Sequence, residues 1–341
     1  MRGERLALVG WAADSGVGRE LADAARHLPA RCAFILENPF KPTRFDLLTK
    51  VPVHWSRAAN LADQMKTFLD KNKPDTILTW EDPGSWEFPP IWKERGIRWF
   101  HVVHWDWMSA APEHLKMLKL AQLIAPNKMC MDGLKERYGL SSTLLPVPVD
   151  TDRLVFKERT RADTFISVYG YGPSDRRSIP ELLEAWGSMK DAPRLVILAQ
   201  KREEWMARLP AGVEVRVGNL PESSSLYENG DVAIQLSRYE GVGLSLLEAQ
   251  ARGLPVIAID APPMNEVVEK ASVTYSAARI EIVKREILSY VPKVPSIVDA
   301  VLRFRGTDVR GLSSNVRDWV DTLFSWRVLG KKWLDVLGVG P

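Results

Sequence analysis

Short apolar runs alternate with helix-like stretches along almost the whole sequence, and this alternation constrains the fold more than any other feature. A first series has strand-like runs at 6–11, 32–36, 76–80, 98–104 and 122–125, and a second has them at 165–171, 194–199, 213–217, 232–236, 256–259 and 273–275. Such alternation is typical of parallel sheets joined by helical crossovers. With 341 residues, the chain is long enough for two α/β domains, each with its own core.

The stretch between the two series marks a domain boundary. Residues 144–157 read LLPVPVDTDRLVFK, and Pro146 and Pro148 disfavour helix because proline lacks a backbone donor and restricts the residue before it. We therefore predict one domain at 1–148 and a second at 149–312. We expect the remaining segment, 313–341, to form a helix, because its apolar residues recur at helical spacing. These residues are Trp319, Leu323, Trp326, Trp333 and Leu337.

Composition and cysteine content exclude several classes of protein. No run of about 18 uncharged apolar residues occurs, so the sequence predicts no membrane span. The first apolar run breaks at Asp14, which does not fit a signal peptide, and we expect a cytoplasmic protein. Cys32 and Cys130 are too few for a disulfide framework and have no neighbours at zinc spacing. The net charge of +3 permits an anionic substrate without indicating DNA.

The strongest motif begins where a predicted strand ends, in the segment SRYEGVGLSLLEAQARGLPVIAIDAPPMNEVV at 237–268. Its two glycines let the backbone approach a ligand closely, and the N-terminus of the helix that follows favours a phosphate group. Two carboxylates flank this turn, and a carboxylate is a good bidentate acceptor for the vicinal hydroxyls of a ribose or hexose. The residues concerned are Glu240, Gly241, Val242, Gly243, Leu244 and Glu248.

Ordinary surface glutamates on a strand–loop–helix would also give this spacing, but the flanking LEAQARGLPVIA and Glu266 favour a more specific interpretation. In this context Glu240 and Glu248 resemble the two glutamates, separated by seven residues, of the retaining GT-B glycosyltransferases of group one, also called family four. The resemblance implies that the first glutamate and the following loop amides contact the donor sugar and its diphosphate. It implies that the second glutamate holds the ribose hydroxyls.

The resemblance also implies an architecture and a reaction. GT-B proteins have two Rossmann-like domains that face a cleft, with a C-terminal helix crossing back to the first domain. Residues 1–148 would then hold the acceptor, 149–312 the nucleotide-sugar donor, and 313–341 the returning helix. The implied reaction retains the anomeric configuration and needs no metal, because cationic side chains and loop amides stabilise the leaving phosphate.

The segment GYGPSDRRSIPELLEAW resembles the family stretch that carries an arginine and a lysine for the leaving diphosphate. Arg177 aligns with the lysine, but Gly172 stands where the arginine is expected. Arg176 is a candidate substitute, although two adjacent side chains at a helix start are not expected to face the same way. A solvated helix start is the alternative, and it is disfavoured because cations there oppose the helix dipole.

In the first domain, GWAADSGVGREL is similar to the family's early glycine-rich loop, and HVVHWDWMS is similar to its histidine-containing strand end. The resemblance implies cleft positions for Gly16, Val17, Gly18 and Asp106, and contact between His104 and the transferred sugar. A core histidine held by hydrogen bonds remains the alternative for His104.

Two other site types can be weighed from the same residues. The early loop half-matches a dinucleotide fingerprint with Glu37 as the ribose acid, but its glycines come late after the strand and a third is missing, so a nicotinamide oxidoreductase is disfavoured. We expect no metal site. His101 and His104, three residues apart, would face opposite sides of a strand, and the triplet Asp150-Thr151-Asp152 falls in the linker.

These features predict an enzyme that moves a sugar from a nucleotide diphosphate sugar to a hydroxyl acceptor, without a further cofactor. A glycan, a lipid carrier, a small molecule and a hydroxylated base of modified DNA all fit as acceptor. From 303 to 332 the chain has seven basic and three acidic residues, which also fits peripheral contact with an anionic membrane. A catalytically silent GT-B protein that binds a nucleotide sugar or a glycan stays open because of Gly172.

Overall fold

The computed structural model describes residues 4–37, 43–57, 59–170, 175–219, 225–270, 273–275, 279–283 and 287–340. The chain divides into two compact units, which we call unit 1 and unit 2. Unit 1 comprises Met1–Pro148 and Trp326–Pro341, and unit 2 comprises Val149–Ser325.

Within the described residues, unit 1 is built around a seven-stranded parallel sheet. Its strands are β1 (Leu6–Gly10), β2 (Ala30–Leu36), β3 (Val53–Ser56), β4 (Thr76–Trp80), β5 (Arg98–Val102), β6 (Gln122–Ala125) and β7 (Ser142–Leu144). The connecting helices are α1 (Gly16–His27), α2 (Leu61–Asn72), α3 (Phe88–Glu94), α4 (Pro112–Leu118) and α5 (Lys128–Tyr138). The strand order is β3-β2-β1-β4-β5-β6-β7.

The central strands of this sheet are covered on both faces. Every residue of β1 and β4 is buried, which explains why the sequence shows continuous apolar runs there instead of alternation. Aromatic rings fill much of the space against one face. Phe34 of β2 packs edge-to-face on Phe68 of α2 at 5.3 Å between ring centroids, and on Phe88 of α3 at 5.7 Å. This packing fixes the sheet and hence the positions of its strand ends.

Unit 2 repeats the plan with a six-stranded parallel sheet among its described residues, in the order β10-β9-β8-β11-β12-β13. Its strands are β8 (Thr164–Gly170), β9 (Arg194–Ala199), β10 (Val213–Val217), β11 (Val232–Gln235), β12 (Val256–Ile259) and β13 (Val273–Tyr275), followed by the antiparallel pair β14 (Arg279–Val283) and β15 (Ile287–Val291). The helices are α6 (Ile179–Ser188), α7 (Leu244–Ala251), α8 (Met264–Val267), α9 (Val294–Phe304) and α10 (Arg310–Leu323), and the chain ends with α11 (Trp326–Leu337).

In both sheets the strand order reverses beside the first strand of the unit. β1 lies between β2 and β4, and β8 lies between β9 and β11. Loops that leave the carboxyl ends of two strands at such a point run to opposite faces, and ligands of open α/β sheets bind in the crevice between them. The segments that follow β1, β4, β8 and β11 are therefore where a site is expected.

The strand pattern follows the sequence closely where apolar runs are long. The predicted strands at 76–80, 122–125, 194–199, 213–217, 256–259 and 273–275 have the observed bounds. The predicted strand 98–104 ends earlier, at Val102, and Tyr171 of the predicted strand 165–171 lies outside the described residues. Three further features were not predicted, the short edge strands β3 and β7 and the pair β14–β15.

The predicted C-terminal segment 313–341 is not one helical stripe. Phe324 and Ser325 separate α10 from α11, so the chain leaves unit 2 at Ser325 and not at 312. Arg317 on α10 is tied to unit 2, because the acceptors of its guanidinium among the described residues lie in that unit. Its backbone acceptors are Thr151 at 3.1 Å, Leu154 at 2.7 Å and Ala251 at 2.7 Å.

The final helix, α11, belongs to unit 1. Trp333 Nε1 donates to the backbone oxygen of Pro146 at 3.0 Å, and the backbone oxygen of Leu337 accepts from Arg98 Nη2 at 2.8 Å. Trp326, at the start of α11, stacks on His27 with 5.0 Å between ring centroids. In the described part of the chain, no helix has both the length and the apolar character needed to cross a bilayer.

A glycine pair in unit 2 tests how tightly the end of α7 is packed. Gly253 has φ +83°, and a β-carbon there would lie 2.7 Å from the Lys157 carbonyl oxygen and 2.8 Å from Ser313 Oγ. Gly306 has φ +73°, but the nearest atom to its β-carbon would be Arg161 Nη2 at 3.6 Å. Gly306→Ala should therefore cost about 1–2 kcal/mol of unfolding free energy from backbone strain alone.

Gly253→Ala should cost about 1–3 kcal/mol more than Gly306→Ala, because overlap with backbone is added to the same strain. Urea unfolding of both variants measures the difference. Equal losses would contradict the packing described for Gly253.

Candidate functional site

Unit 2 brings two loops together at the point where its strand order reverses. After β8 the chain enters a 3₁₀ turn at Asp175–Arg177, and after β11 it runs through Ser237 to Glu240. The backbone N–H of Arg238 donates to the backbone oxygen of Arg176 at 2.9 Å. The two loops are thus tied to each other by main-chain contact before any side chain is considered.

The carboxylate of Glu240 lies between two guanidinium groups. Arg176 Nη2 donates to Oε2 at 3.0 Å, while Arg177 Nη1 donates to Oε1 and to Oγ of Ser237. The expectation that these adjacent arginines face different ways does not hold. They converge because both side chains are long and flexible, and each reaches a different oxygen of the one carboxylate.

The charge of this cluster follows from its pKa balance. Burial raises the pKa of Glu240, which is 7% exposed, but the positive charges of Arg177 and Arg176 and the hydrogen bonds from Ser237 and Arg177 outweigh burial and bring it below its ordinary value. Glu240 is therefore a carboxylate at neutral pH. One carboxylate facing two guanidinium groups leaves an excess positive charge, which favours binding of an anion.

A glycine turn follows this cluster directly. Gly241 and Val242 are buried, and Gly243, with φ +86°, precedes the first residue of α7, Leu244. A β-carbon at Gly243 would lie 3.1 Å from Cγ2 of Val267, so conformation and space both favour glycine there. The backbone N–H groups of Leu246 and Leu247 donate to the backbone oxygen of Gly243, at 3.0 and 3.2 Å, which leaves the first two amides of α7 without an acceptor in the helix. The helix dipole adds partial positive charge at the same point.

The second carboxylate of the motif, Glu248, lies one turn further along α7 and is 7% exposed. A glutamate on an ordinary surface helix is exposed, since burying its charge has a high cost without polar partners. The helix buries Glu248 together with its neighbours Leu247 and Ala249. The motif therefore places two buried carboxylates in the strand–turn–helix segment. The alternative that Glu240 and Glu248 are ordinary surface glutamates is excluded.

Arg238 also belongs to this region, although its sequence motif did not predict it. Its side chain donates to Glu181 Oε1 at 2.6 Å and to Ser178 Oγ at 3.3 Å, and its backbone oxygen accepts from Tyr290 at 2.9 Å. These contacts fasten the loop after β11 to the start of α6, where the turn that carries Arg176 ends. A basic residue directly after a buried strand is the signal that could have indicated it.

Unit 1 has its own polar cluster near the corresponding strand ends. His104 follows β5, and its Nε2 lies 3.1 Å from Oε2 of Glu20 on α1. Both residues are buried, at 6% and 4% exposure. His104 was predicted as a site residue, but Glu20 was not, although a glutamate on the apolar face of a predicted helix, beside Leu21 and Ala24, indicates such a role.

The early glycines lie in the first turn of α1 and not in a loop. Ser15 caps this helix by accepting the backbone N–H of Gly18 at 3.1 Å. A β-carbon at Gly18 would lie 1.9 Å from the carbonyl oxygen of Ala13, so this position requires glycine. Gly16 and Val17 begin the helix, and the same turn leads directly to Glu20.

His101 and His104 are both buried, but at neutral pH His101 is uncharged and His104 is protonated. Burial lowers the pKa of His101 to about 3, and its Nδ1 lies 2.7 Å from Oγ1 of Thr79. For His104, burial also lowers the pKa, but the Glu20 carboxylate, with smaller effects from Glu81 and Asp106, raises it to about 9. The core-histidine interpretation thus describes His101, whereas His104 is one half of a buried ion pair.

The sequence also raised the position of Gly172 and the question of a metal site. Gly172, which stands at the family's arginine position, lies outside the described residues. Within the described residues, no three His, Cys, Asp or Glu side chains are grouped so as to hold a metal ion. In the triplet considered as a metal motif, Asp150 instead accepts the backbone N–H of Arg153 through Oδ1 at 3.3 Å.

Comparison with known proteins gives a family match within unit 2. Residues 165–290 match the family model described as "Glycosyl transferases group 1". A curated relative, the UDP-N-acetylglucosamine–peptide N-acetylglucosaminyltransferase GtfA subunit of Streptococcus parasanguinis, is 28% identical over 146 residues, 39% of this chain. That alignment spans 29% of the relative's own length. The sequence-based resemblance to group 1 glycosyltransferases is confirmed.

Solved structures show the fold. Alr3699/HepE of Anabaena, crystallised in complex with UDP-glucose, is similar with a TM-score of 0.73 and 12% identity, over 98% of this chain and 99% of that one. A glycosyltransferase from Rickettsia africae is similar with a TM-score of 0.72 and 14% identity, over 99% and 98% of the two chains. The predicted fold class, GT-B with two Rossmann-like domains, is confirmed.

The ion pairs of Glu240 make its contribution to stability depend on pH. A carboxyl group whose folded pKa is lowered stabilises the fold fully above its ordinary pKa of 4.5, and this stabilisation is lost as pH falls through the folded value. At pH 7, Glu240→Gln should reduce the unfolding free energy by about 1–3 kcal/mol, because hydrogen bonds to charged groups are lost. The difference should shrink as pH drops below 4.5.

Urea unfolding of wild type and Glu240→Gln at several values between pH 7 and pH 3.5 measures this. Glu184→Gln, an exposed site on α6, is the control and should show no comparable trend. A stability gap for Glu240→Gln that stays constant with pH would show that its charge does not contribute as described.

Proposed function

We propose that this GT-B chain, whose unit 2 carries the group 1 glycosyl transferase match, moves a sugar from a nucleotide diphosphate sugar to a hydroxyl acceptor. The observation that supports the proposal most is the Glu240 carboxylate held between Arg176 and Arg177, directly before the glycine turn that starts α7. We propose further that the reaction retains the anomeric configuration and proceeds without a metal ion.

The proposed reaction is faster when positive charge stabilises the leaving diphosphate. Breaking the bond between the anomeric carbon and the phosphate oxygen builds negative charge on the diphosphate and positive charge on the sugar ring. Arg177, Arg176 and the amide groups at the start of α7 supply fixed positive charge that needs little reorganisation as the negative charge develops. In this proposal, Arg176 takes the place of the arginine that the family has at the position of Gly172.

Glu240 fixes the positions of the Arg176 and Arg177 guanidinium groups in addition to offsetting part of their charge. A guanidinium has five N–H donors in a planar fork, and Glu240 uses one nitrogen of each arginine in the contacts described. The remaining donors can bind phosphate oxygens while the carboxylate keeps both forks in place. Glu240 would contact the transferred sugar, and Glu248 would accept hydrogen bonds from the ribose hydroxyls.

In unit 1 we propose the acceptor site, with His104 as its cationic group and Gly16, Val17, Gly18 and Asp106 beside it. The leaving phosphate would help to remove the proton from the acceptor hydroxyl, which places the new bond on the face that the phosphate leaves. The acceptor would be a hydroxyl of a glycan, a lipid carrier, a small molecule or a hydroxylated base in modified DNA.

Two relatives suggest which donors to test first. HepE was crystallised with UDP-glucose, and the curated relative is named for UDP-N-acetylglucosamine. We therefore propose a uridine diphosphate sugar as donor. The exposed basic residues Arg327, Lys331 and Lys332 on α11 support an additional peripheral contact with an anionic membrane.

Binding of UDP tests the donor site without knowledge of the acceptor. Glu248→Gln should weaken UDP binding by about 1.5–3 kcal/mol, the usual contribution of a hydrogen bond to a charged group. This corresponds to a roughly tenfold to hundredfold higher Kd in titration calorimetry. Glu184→Gln, on the exposed side of α6, should leave the Kd unchanged. Unchanged affinity in Glu248→Gln would remove this residue from the site.

Slow hydrolysis of the donor tests catalysis. Wild-type protein should release UDP from UDP-glucose or UDP-N-acetylglucosamine, and chelation of metals by EDTA should not change the rate. Arg177→Ala should lower kcat by about 10²–10³, the usual effect of removing one donor to a developing oxyanion. The exposed Arg208→Ala is the matched control and should retain the wild-type rate. UDP binding with no release from any UDP sugar would favour the silent binding protein.

A further inference from the structure

The Glu20–His104 pair in unit 1 is a second cation held by a buried carboxylate. Glu20 Oε2 lies 3.1 Å from His104 Nε2, and each side chain is buried. The geometry points to Glu20 as a positioning residue that holds His104 as an imidazolium and fixes the orientation of its ring. This inference rests on the proposed function only in its consequence for turnover, since the charge of His104 can be measured directly.

Burying the carboxylate of Glu20 has a high cost in folding free energy, which argues against a purely structural role. Its other oxygen, Oε1, is buried and accepts no hydrogen bond from the described residues. Glu20 also lines a small cavity with Trp80, Trp326 and Trp333, whose rings keep the surroundings apolar. A buried carboxylate with one bonded oxygen destabilises the fold unless a positive charge compensates it, and His104 lies in ion-pair contact with Glu20.

His101 provides an internal comparison. It lies three residues before His104 and is equally buried, but its partner is the neutral hydroxyl of Thr79. Thr79 Oγ1 accepts from Trp99 Nε1 at 2.8 Å and lies 2.7 Å from Nδ1 of His101, so the ring of His101 contacts a group that carries no charge. Burial, with smaller effects from the charges of His104 and His114, thus gives a neutral histidine at His101, and the carboxylate of Glu20 is what distinguishes His104.

The other charged groups around His104 act in the same direction but less strongly. Glu81 follows β4, and Asp106 lies in the 3₁₀ turn after His104; both raise the pKa of His104 by a smaller amount than Glu20. His101, on β5, stays neutral in the accessible pH range. Removal of Glu20 should therefore let burial dominate, even with Glu81 and Asp106 in place.

The ring orientation has a consequence for binding. An imidazolium has two N–H donors, and Glu20 engages Nε2, so Nδ1–H is the donor that can serve a substrate oxygen. In the neutral form, one nitrogen would lose its proton and the ring would carry no charge. Glu20 thus determines both the number of donors and the charge that His104 presents.

Proton NMR of the intact chain tests the inference, because it contains only five histidines and His104→Gln identifies the relevant signal. In wild type, the Hε1 signal of His104 should titrate near pH 9. In Glu20→Gln the midpoint should fall below about pH 7, so that at pH 8 the imidazolium fraction drops by about tenfold or more. Glu20→Asp should restore part of the shift, and the exposed Glu94→Gln should leave it unchanged.

A wild-type midpoint at or below the ordinary 6.5, or the same midpoint in Glu20→Gln, would overturn the inference. The absence of a titrating His101 signal in each variant reports that the fold around β5 is intact. The pH profile of UDP-sugar hydrolysis gives the functional readout, and its alkaline limb should move from near pH 9 in wild type to near pH 7 in Glu20→Gln. If no variant hydrolyses any donor, the proposed function fails while the NMR result still decides the role of Glu20.

Discussion

The buried carboxylate of Glu240 is the interaction on which the arrangement of unit 2 depends. Its charge is stabilised in a buried position mainly because Arg176 and Arg177 supply two guanidinium groups. Holding both cations against one carboxylate in turn requires that the loops after β8 and β11 stay together. Arg238 provides this with a main-chain bond to Arg176 and a side-chain pair with Glu181. The loops that follow β8 and β11 thus place the excess positive charge of Arg176 and Arg177 next to the turn that begins α7.

Unit 1 also contains a buried carboxylate paired with a cationic side chain, formed by different residues. A carboxylate on α1, Glu20, is buried beside a cationic side chain, His104, that follows a strand of the parallel sheet. In each unit the strand order reverses beside the first strand, and crossovers bring side chains distant in sequence to neighbouring strand ends. A fixed cation in a region of low polarity suits a reaction whose leaving group gains negative charge, because its field is little screened by water.

The sequence predicts the parts of this structure that local patterns encode. Long apolar runs gave the buried strands, and the glycine turn with its two glutamates indicated the strand–turn–helix at Leu244. The edge strands β3 and β7 are short and half-exposed, so they lack such a run. The convergence of Arg176 and Arg177 depends on Glu240, more than sixty residues later, and Glu20 gains its role only through His104, 84 residues away. The tryptophans of 313–341 recur at helical spacing, but spacing cannot tell that Trp319 packs in unit 2 and Trp333 in unit 1.

The central claim is that an anionic diphosphate binds at the start of α7 against Arg176 and Arg177. A crystal structure of the chain with UDP tests it most directly. The account predicts phosphate oxygens within hydrogen-bond distance of Arg177 and of the amides that follow Gly241, with the ribose hydroxyls at Glu248. A nucleotide bound elsewhere, or a bound diphosphate that leaves the contacts of both arginines with Glu240 unchanged and makes none of its own to them, would contradict it.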